Sequence, residues 1–90
     1  MTTLADLMGE GLLRAGEALY WERKQQRVIH KAEVTSQGLL KTQDGAVHRT
    51  PSGAAKHLNG HKPVDGWNAW RTEKNRERLS DLRSKLKTSK

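Results

Sequence analysis

The spacing of apolar residues predicts a short helix near the start of the chain. Leu4, Leu7 and Met8 recur at helical spacing behind Thr3, a residue that favours the N-cap position. Asp6 stands three residues after Thr3, where its carboxylate can complete a capping box. We therefore expect an amphipathic helix over 4–10 that serves as a lid on a small core.

Alternation of apolar and polar residues then predicts four short strands, at 17–23, 27–34, 39–42 and 46–49. In the second strand, the even-numbered residues from Val28 to Val34 fall on one face because side chains alternate along a strand. Asp44-Gly45, between the third and fourth strands, is a favoured dipeptide of tight hairpin turns. These strands are expected to form an antiparallel meander.

A second helix is predicted directly after the fourth strand. Thr50 is a good N-cap, Pro51 suits the first helical turn, and Gly60 provides the left-handed stop. The small residues Ser52 and Gly53 would leave backbone N–H groups of the first turn open to a phosphate. Close packing against the sheet explains the same small residues, and the sequence alone leaves both interpretations open.

The end of the chain is charged, with Leu79, Leu82 and Leu86 recurring at helical spacing. A third helix over 76–86 is expected to dock through this narrow apolar stripe, followed by a flexible basic tail at 87–90. Ninety residues, 33% of them hydrophobic, suffice for one small domain extending to Leu86. The predicted fold class is α+β, with about four antiparallel strands and two or three short helices packed on them.

Positive charge is concentrated in the second half of the chain. The sequence holds 17 Lys and Arg against 10 Asp and Glu, a net charge of +7. Residues 1–50 carry seven basic and six acidic side chains, and residues 51–90 carry ten and four, so that the two parts contribute +1 and +6. Such asymmetry points to a polyanionic partner, with nucleic acid first. Solubility alone also explains a basic surface.

The sequence offers no support for enzymatic chemistry. No glycine run matches a phosphate-binding or dinucleotide fingerprint, no serine lies in a G-x-S-x-G elbow, and there are no cysteines. His57 and His61 have the spacing of metal ligands on one helix, but Gly60 is expected to end that helix between them. We predict no cofactor and no metal site. The absence of a signal peptide and of a run of about 18 apolar residues favours a cytoplasmic protein without membrane contact.

Basic side chains and the start of the second helix supply the predicted DNA contacts. Trp21 lies two residues before Arg23, and an aromatic beside arginines can stack on a base, although a core position is the commoner role. Trp67 is interpreted as mainly structural, since large aromatic side chains dominate small cores. The predicted DNA-binding set is Arg23, Lys24, Arg27, Thr50, Ser52, Gly53, Lys56, His61, Lys62, Trp70 and Arg71.

From Pro51 to Trp70 the chain resembles the RAMA domain, the restriction-enzyme adenine-methylase-associated module. The resemblance covers nearly the whole chain and is carried by the order and spacing of short motifs, at Leu4, Leu7, Gly11, Gly16, Ala32, Val34, Gly38, Gly45, Pro51, Ser52, Ala54, Ala55, Gly66, Trp67, Trp70, Leu79, Leu82 and Arg83. Thr50 replaces the usual first Ser of the helix start. Asp65 replaces the usual Asn before Gly-Trp, and an acid there would repel a phosphate.

The resemblance implies a DNA-binding module accessory to a prokaryotic restriction–modification or defence system, and thus a nucleoid-associated protein. Its implied partners are double-stranded DNA, with methylated DNA as one candidate target, and restriction or defence proteins. Two other functions remain open on the residues. One is a protein-interaction adaptor or inhibitor that binds an acidic partner through the same basic residues, and the other is an RNA-binding protein.

Overall fold

A five-stranded antiparallel sheet and four short helices make up the fold, in a computed structural model that describes residues 2–88. The helices are α1 (Leu4–Gly9), α2 (Pro51–Leu58), α3 (Gly66–Ala69) and α4 (Leu79–Thr88), and the strands are β1 (Ala18–Arg23), β2 (Val28–Val34), β3 (Leu40–Thr42), β4 (Val47–His48) and β5 (Arg71–Thr72). The tail expected at 87–90 begins within α4, and its last two residues lie outside the described part of the chain.

The sheet runs in the order β4-β3-β2-β1-β5, so the first four strands form the predicted meander. The α+β class is therefore confirmed, with five strands in place of about four. The additional strand β5 pairs with β1, where Leu19 lies opposite Thr72 and Tyr20 opposite Arg71. A two-residue polar strand has no alternation of its own, and this pairing was therefore absent from the sequence pattern.

The core lies between the inner face of the sheet and the helices. The predicted alternation along β2 places Ala32 and Val34 on the side that faces the core, where both are buried, whereas Val28 at the start of the strand is exposed. Trp70 is the largest fully buried side chain. The rest of the buried apolar cluster comes from both layers and consists of Leu4, Leu7, Leu13, Leu19, Leu40, Ala54, Leu79 and Leu82. Helix α4 docks through the predicted leucine stripe.

The capping box predicted for α1 is present. The hydroxyl of Thr3 accepts from the N–H of Asp6 at 3.3 Å, and the Asp6 carboxylate accepts from the N–H of Thr3 at 2.8 Å. The helix ends at Gly9, one residue before the expected end. Local capping chemistry therefore placed this element closely.

Helix α4 begins three residues later than predicted. Residues 73–78 connect β5 to the helix, and the N–H of Thr72 donates to the carbonyl of Glu77 across this connection at 2.9 Å. Arg76 adopts a left-handed backbone with φ of 58°, which a helix cannot contain. The predicted start at Arg76 is thus wrong, and Leu79 is the first helical residue.

Helices α2 and α3 meet at a very close contact between backbones. A Cβ atom on Gly66 would lie 2.1 Å from the carbonyl carbon of Pro51, so only glycine fits there. The N–H of Gly66 donates to the Ser52 hydroxyl at 3.0 Å, and the indole Nε1–H of Trp70 donates to the Pro51 carbonyl at 3.1 Å. This junction fixes α3, which the sequence did not predict, against the first turn of α2.

Asp65 is the N-cap of α3. Its carboxylate accepts from the N–H of Trp67 at 3.2 Å and from the side-chain amide of Asn68 at 2.6 Å. Asp and Asn are about equally good at this position. The departure from the family pattern at Asp65 therefore preserves the local structure.

Candidate nucleic-acid interface

A side-chain contact joins the β1–β2 hairpin to the loop after α2. Arg23 Nη2 donates to Asn59 Oδ1 at 2.8 Å across 36 residues of sequence, and Asn59 Nδ2 donates to the carbonyl of Lys62 at 3.3 Å. Asn59 is the C-cap of α2, so its position is set by the end of that helix. Two groups of predicted binding residues that are distant in the sequence are thereby brought to one surface.

We call this region the hairpin–loop surface, which consists of Arg23, Lys24, Arg27, Lys56, His61 and Lys62. All of these side chains except the half-buried Arg23 are exposed. Among the residues that the structure describes, none of the six forms an ion pair with a carboxylate. The positive charge of the lysines and arginines in this surface is therefore available to an external anion.

Trp21 supports this surface from below. Its ring centre lies 4.8 Å from the guanidinium carbon of Arg23, 5.2 Å from the ring of His30 and 6.0 Å from the ring of Trp70. The half-buried Trp21 packs against the core cluster, which is the commoner role of such an aromatic residue. Arg23 is thus held by a cation–π contact and a hydrogen bond, which restrict the conformations open to its side chain.

The small residues at the start of α2 serve the α2–α3 junction. The N–H of Gly53 donates to the Thr50 hydroxyl at 2.9 Å, and the N–H of Ala54 donates to the Thr50 carbonyl at 3.1 Å, so the predicted N-cap is confirmed. The Ser52 hydroxyl is already bonded to Gly66, whose Cβ would lie 2.3 Å from the Ser52 nitrogen. The Gly53 N–H therefore has a partner, and the close approach of Gly66 accounts for the small residue at position 52, so we leave Ser52 and Gly53 out of the interface.

Two further predicted contacts take other positions. Trp70 is fully buried and offers no surface to a nucleic acid, because its ring fills the core and its N–H is bonded to Pro51. Arg71 lies half-buried on β5, and its Nη1 donates to the carbonyl of Arg76 at 3.0 Å. Trp70 is thus a core residue, and Arg71 stabilises its own turn.

A pocket lined by two arginines lies beside the first turn of α2, apart from the hairpin–loop surface. Its volume is about 410 Å³, and its lining includes Leu4, Arg49, Thr50, Trp67 and Arg83. The guanidinium carbon of Arg83 stands 4.8 Å from the ring centre of Trp67, which packs partly buried against the core. The sequence predicted a structural role for Trp67, and Arg83 matched the family pattern. No local spacing connects either residue with Arg49, so the pocket itself could not be predicted from the sequence.

Three histidines and one carboxylate form a cluster next to α2. His57 Nε2 lies 2.6 Å from Asp44 Oδ2, and the ring of His57 is 4.8 Å from that of His48 and 6.2 Å from that of His61. Hydrogen bonds from Thr42 and from His57 hold the pKa of Asp44 below its ordinary value. Within residues 2–88, no three His, Cys, Asp or Glu side chains are placed to hold a metal ion.

Acidification is expected to destabilise the fold through His30 and His48. Burial is the main cause that lowers the pKa of each, assisted by Arg23 for His30 and by His57 for His48. Below a pH of about 6.5 these two histidines bind protons in the unfolded chain more readily than in the folded chain. The free energy of unfolding therefore falls as the pH drops. The Nε2 atom of each ring is also buried without a partner among the described residues.

Thermal unfolding at pH 7.5 and pH 5.5 measures this effect. The double variant His30→Phe/His48→Phe keeps an aromatic ring at both positions and should show a smaller decrease in Tm between the two pH values than the wild type. His61→Phe, at an exposed ring, is the matched control and should keep the wild-type decrease. An unchanged decrease in the double variant would assign the pH dependence to other groups.

The sheet, the α2–α3 junction and the hairpin–loop surface together define a small α+β module with an exposed basic face. The family model of Restriction Enzyme Adenine Methylase Associated domains, RAMA, matches residues 1–90. The chain belongs to the RAMA family, as the motifs in the sequence indicated. The family is associated with restriction enzymes and adenine methylases, the two activities of restriction–modification systems. No curated protein matches the chain. None of the helices within residues 2–88 has the length and hydrophobicity to cross a membrane.

Proposed function

We propose that this protein is a non-enzymatic module that binds double-stranded DNA through the hairpin–loop surface. The observation that carries the proposal is the Arg23–Asn59 hydrogen bond, which joins two basic segments into one face without a paired carboxylate. Duplex DNA presents a dense row of phosphates, and basic side chains that neutralise them release condensed counterions. A surface of exposed lysines and arginines suits contacts to the DNA backbone, which position a protein without reading sequence.

The distribution of ion pairs supports this proposal. Glu73 pairs with Lys31, Glu77 pairs with Lys85, and Asp44 contacts His57. These acids are therefore partly neutralised by side chains outside the hairpin–loop surface. The chain has a net charge of +7, and the positive potential is expected to be strongest at the hairpin–loop surface, where the basic residues have no acidic partner.

Family membership supports the biological setting that we propose. The module would act beside a restriction–modification or defence enzyme at the nucleoid in the cytoplasm, with duplex DNA that carries methylated adenine as its preferred target. Paired titrations of methylated and unmethylated duplex of the same sequence test that preference. Equal affinity for the two duplexes would limit the proposal to backbone binding.

The salt dependence of binding tests the interface itself. We expect log Kd for duplex DNA to rise linearly with log salt. The triple variant Arg23→Ala/Lys24→Ala/Arg27→Ala should show a slope shallower by about 1 for each phosphate that it no longer neutralises. A phosphate without a basic partner keeps its condensed counterions, so fewer ions are released on binding. Fluorescence anisotropy at several salt concentrations measures both slopes.

A control of equal charge separates the surface from net charge. Arg14→Ala/Lys41→Ala/Lys74→Ala removes three exposed cations from other parts of the structure and should keep a slope close to that of the wild type. If both triple variants lower the slope equally, the binding is diffuse and the hairpin–loop surface is not its site. Tighter binding of single-stranded RNA than of duplex would contradict DNA as the ligand.

A further inference from the structure

The pocket beside α2 combines two arginines with an aromatic ring. Arg49 directly precedes the N-cap Thr50, Trp67 belongs to α3, and Arg83 belongs to α4. Three separate parts of the fold therefore meet at this pocket. The volume of about 410 Å³ lies in the range of small-molecule sites. Most of these residues are outside the predicted DNA-binding set.

The arginines of this pocket have unused binding capacity. Within the described residues, the guanidinium of Arg49 makes no hydrogen bond and no ion pair, and Arg83 makes only its contact with Trp67. No Asp or Glu of the described chain lines the pocket. A guanidinium donates to phosphate through a planar fork and also stacks on aromatic faces. The same residue type therefore serves both halves of a nucleotide.

We propose that this pocket binds a single nucleotide unit, with its phosphate on Arg49 and Thr50 and its base against the pair formed by Arg83 and Trp67. The hydroxyl of Thr50 accepts from Gly53 and retains its own hydrogen for a phosphate oxygen. The half-exposed Arg83 can place one face of its guanidinium on a base while the other faces the Trp67 ring. Stacking of this kind tolerates every base, because each has a π-face.

The pocket adjoins the start of α2, and the loop residues of the hairpin–loop surface follow its end; a helix of eight residues is about 12 Å long. The nucleotide can come from solution or from DNA in which one nucleotide has left the base stack. Only the second source rests on the proposed function, since free nucleotide binding requires no contact with a duplex. The two sites can therefore be tested separately.

Titration with dAMP, followed by NMR, tests the pocket directly. We expect saturable shifts of the Trp67 indole and the Arg83 side chain, and at least a tenfold weaker Kd for Arg83→Ala. Arg83→Lys keeps the charge and removes the planar group, so it should weaken dAMP binding while leaving binding of inorganic phosphate unchanged. Arg14→Ala, at an exposed arginine elsewhere, should bind dAMP as the wild type does.

Two further arms separate the sources and the two proposals. The hairpin triple variant should bind dAMP with the wild-type Kd, and Arg83→Ala should keep the wild-type salt slope on paired duplex. Tighter binding of a duplex with one unpaired nucleotide than of paired duplex, abolished in Arg83→Ala, would place the ligand in DNA. Equal affinity for the two duplexes would assign free nucleotide. Wild-type dAMP binding by Arg83→Ala, or dAMP shifts confined to other residues, would overturn the proposal.

Discussion

Trp70→Ala is expected to reduce the free energy of unfolding by about 3–5 kcal/mol, the cost of truncating a large buried aromatic side chain. Trp70 has no exposed surface and lies at the centre of the apolar cluster. Its removal would leave a cavity and deprive the Pro51 carbonyl of its donor. A domain of this size has a total stability of about 5–10 kcal/mol, so the variant would be largely unfolded on mild heating.

Chemical denaturation with urea measures this decrease in stability, and two variants serve as controls. Trp70→Phe retains most of the packing and removes the hydrogen bond to Pro51, so it should cost about 1–3 kcal/mol. Trp67→Ala should cost less than Trp70→Ala because the Trp67 ring is only partly buried. If Trp70→Ala melts within a few degrees of the wild type, the ring does not hold the core together.

Gly66→Ala is expected to cost about 3 kcal/mol or more, a large effect for one added methyl group. The new Cβ would lie 2.1 Å from the Pro51 carbonyl carbon and 2.2 Å from its oxygen. Both are backbone atoms, which cannot move aside as a flexible side chain can. Relief of this overlap requires α2 and α3 to separate, which breaks the hydrogen bonds of Ser52 and Trp70.

Gly9→Ala is the matched control, since no atom lies within 4 Å of the Cβ position of that residue. Gly9 ends α1, where alanine is favoured over glycine by up to about 1 kcal/mol, so this variant should be neutral or slightly more stable. Thermal melts of both variants at one pH provide the comparison. Equal melting temperatures would show that the junction between α2 and α3 tolerates a side chain at Gly66.

The elements with local signals were predicted from the sequence. Period-two alternation predicted the meander, and Thr3 and Thr50 predicted the two helix starts, because strand faces and N-caps depend on neighbouring residues. Strand β5 and helix α3 were missed since both depend on distant partners, the first on β1 and the second on the start of α2. Their own sequences are too short to express a period.

The candidate site was predicted only as a set of separate residues. The basic side chains at the hairpin and in the loop after α2 were visible in the sequence, but their convergence depends on Asn59, which has no charge to mark it. Small residues at Ser52 and Gly53 showed that something approaches α2 closely. A local pattern cannot say what approaches, and in the structure it is Gly66. The pocket of Arg49, Trp67 and Arg83 likewise depends on three segments that are brought together only by the fold.

The shortness of the two outermost strands limits the pairing of this sheet with strands of other chains. Strands β4 and β5 are each two residues long, so these two strands themselves offer few unpaired N–H and C=O groups. Short margins of this kind give an incoming β-strand too little backbone to pair with, which is how natural sheets avoid aggregation. Val47, half-exposed on β4, can therefore remain at the margin without seeding addition of a second chain.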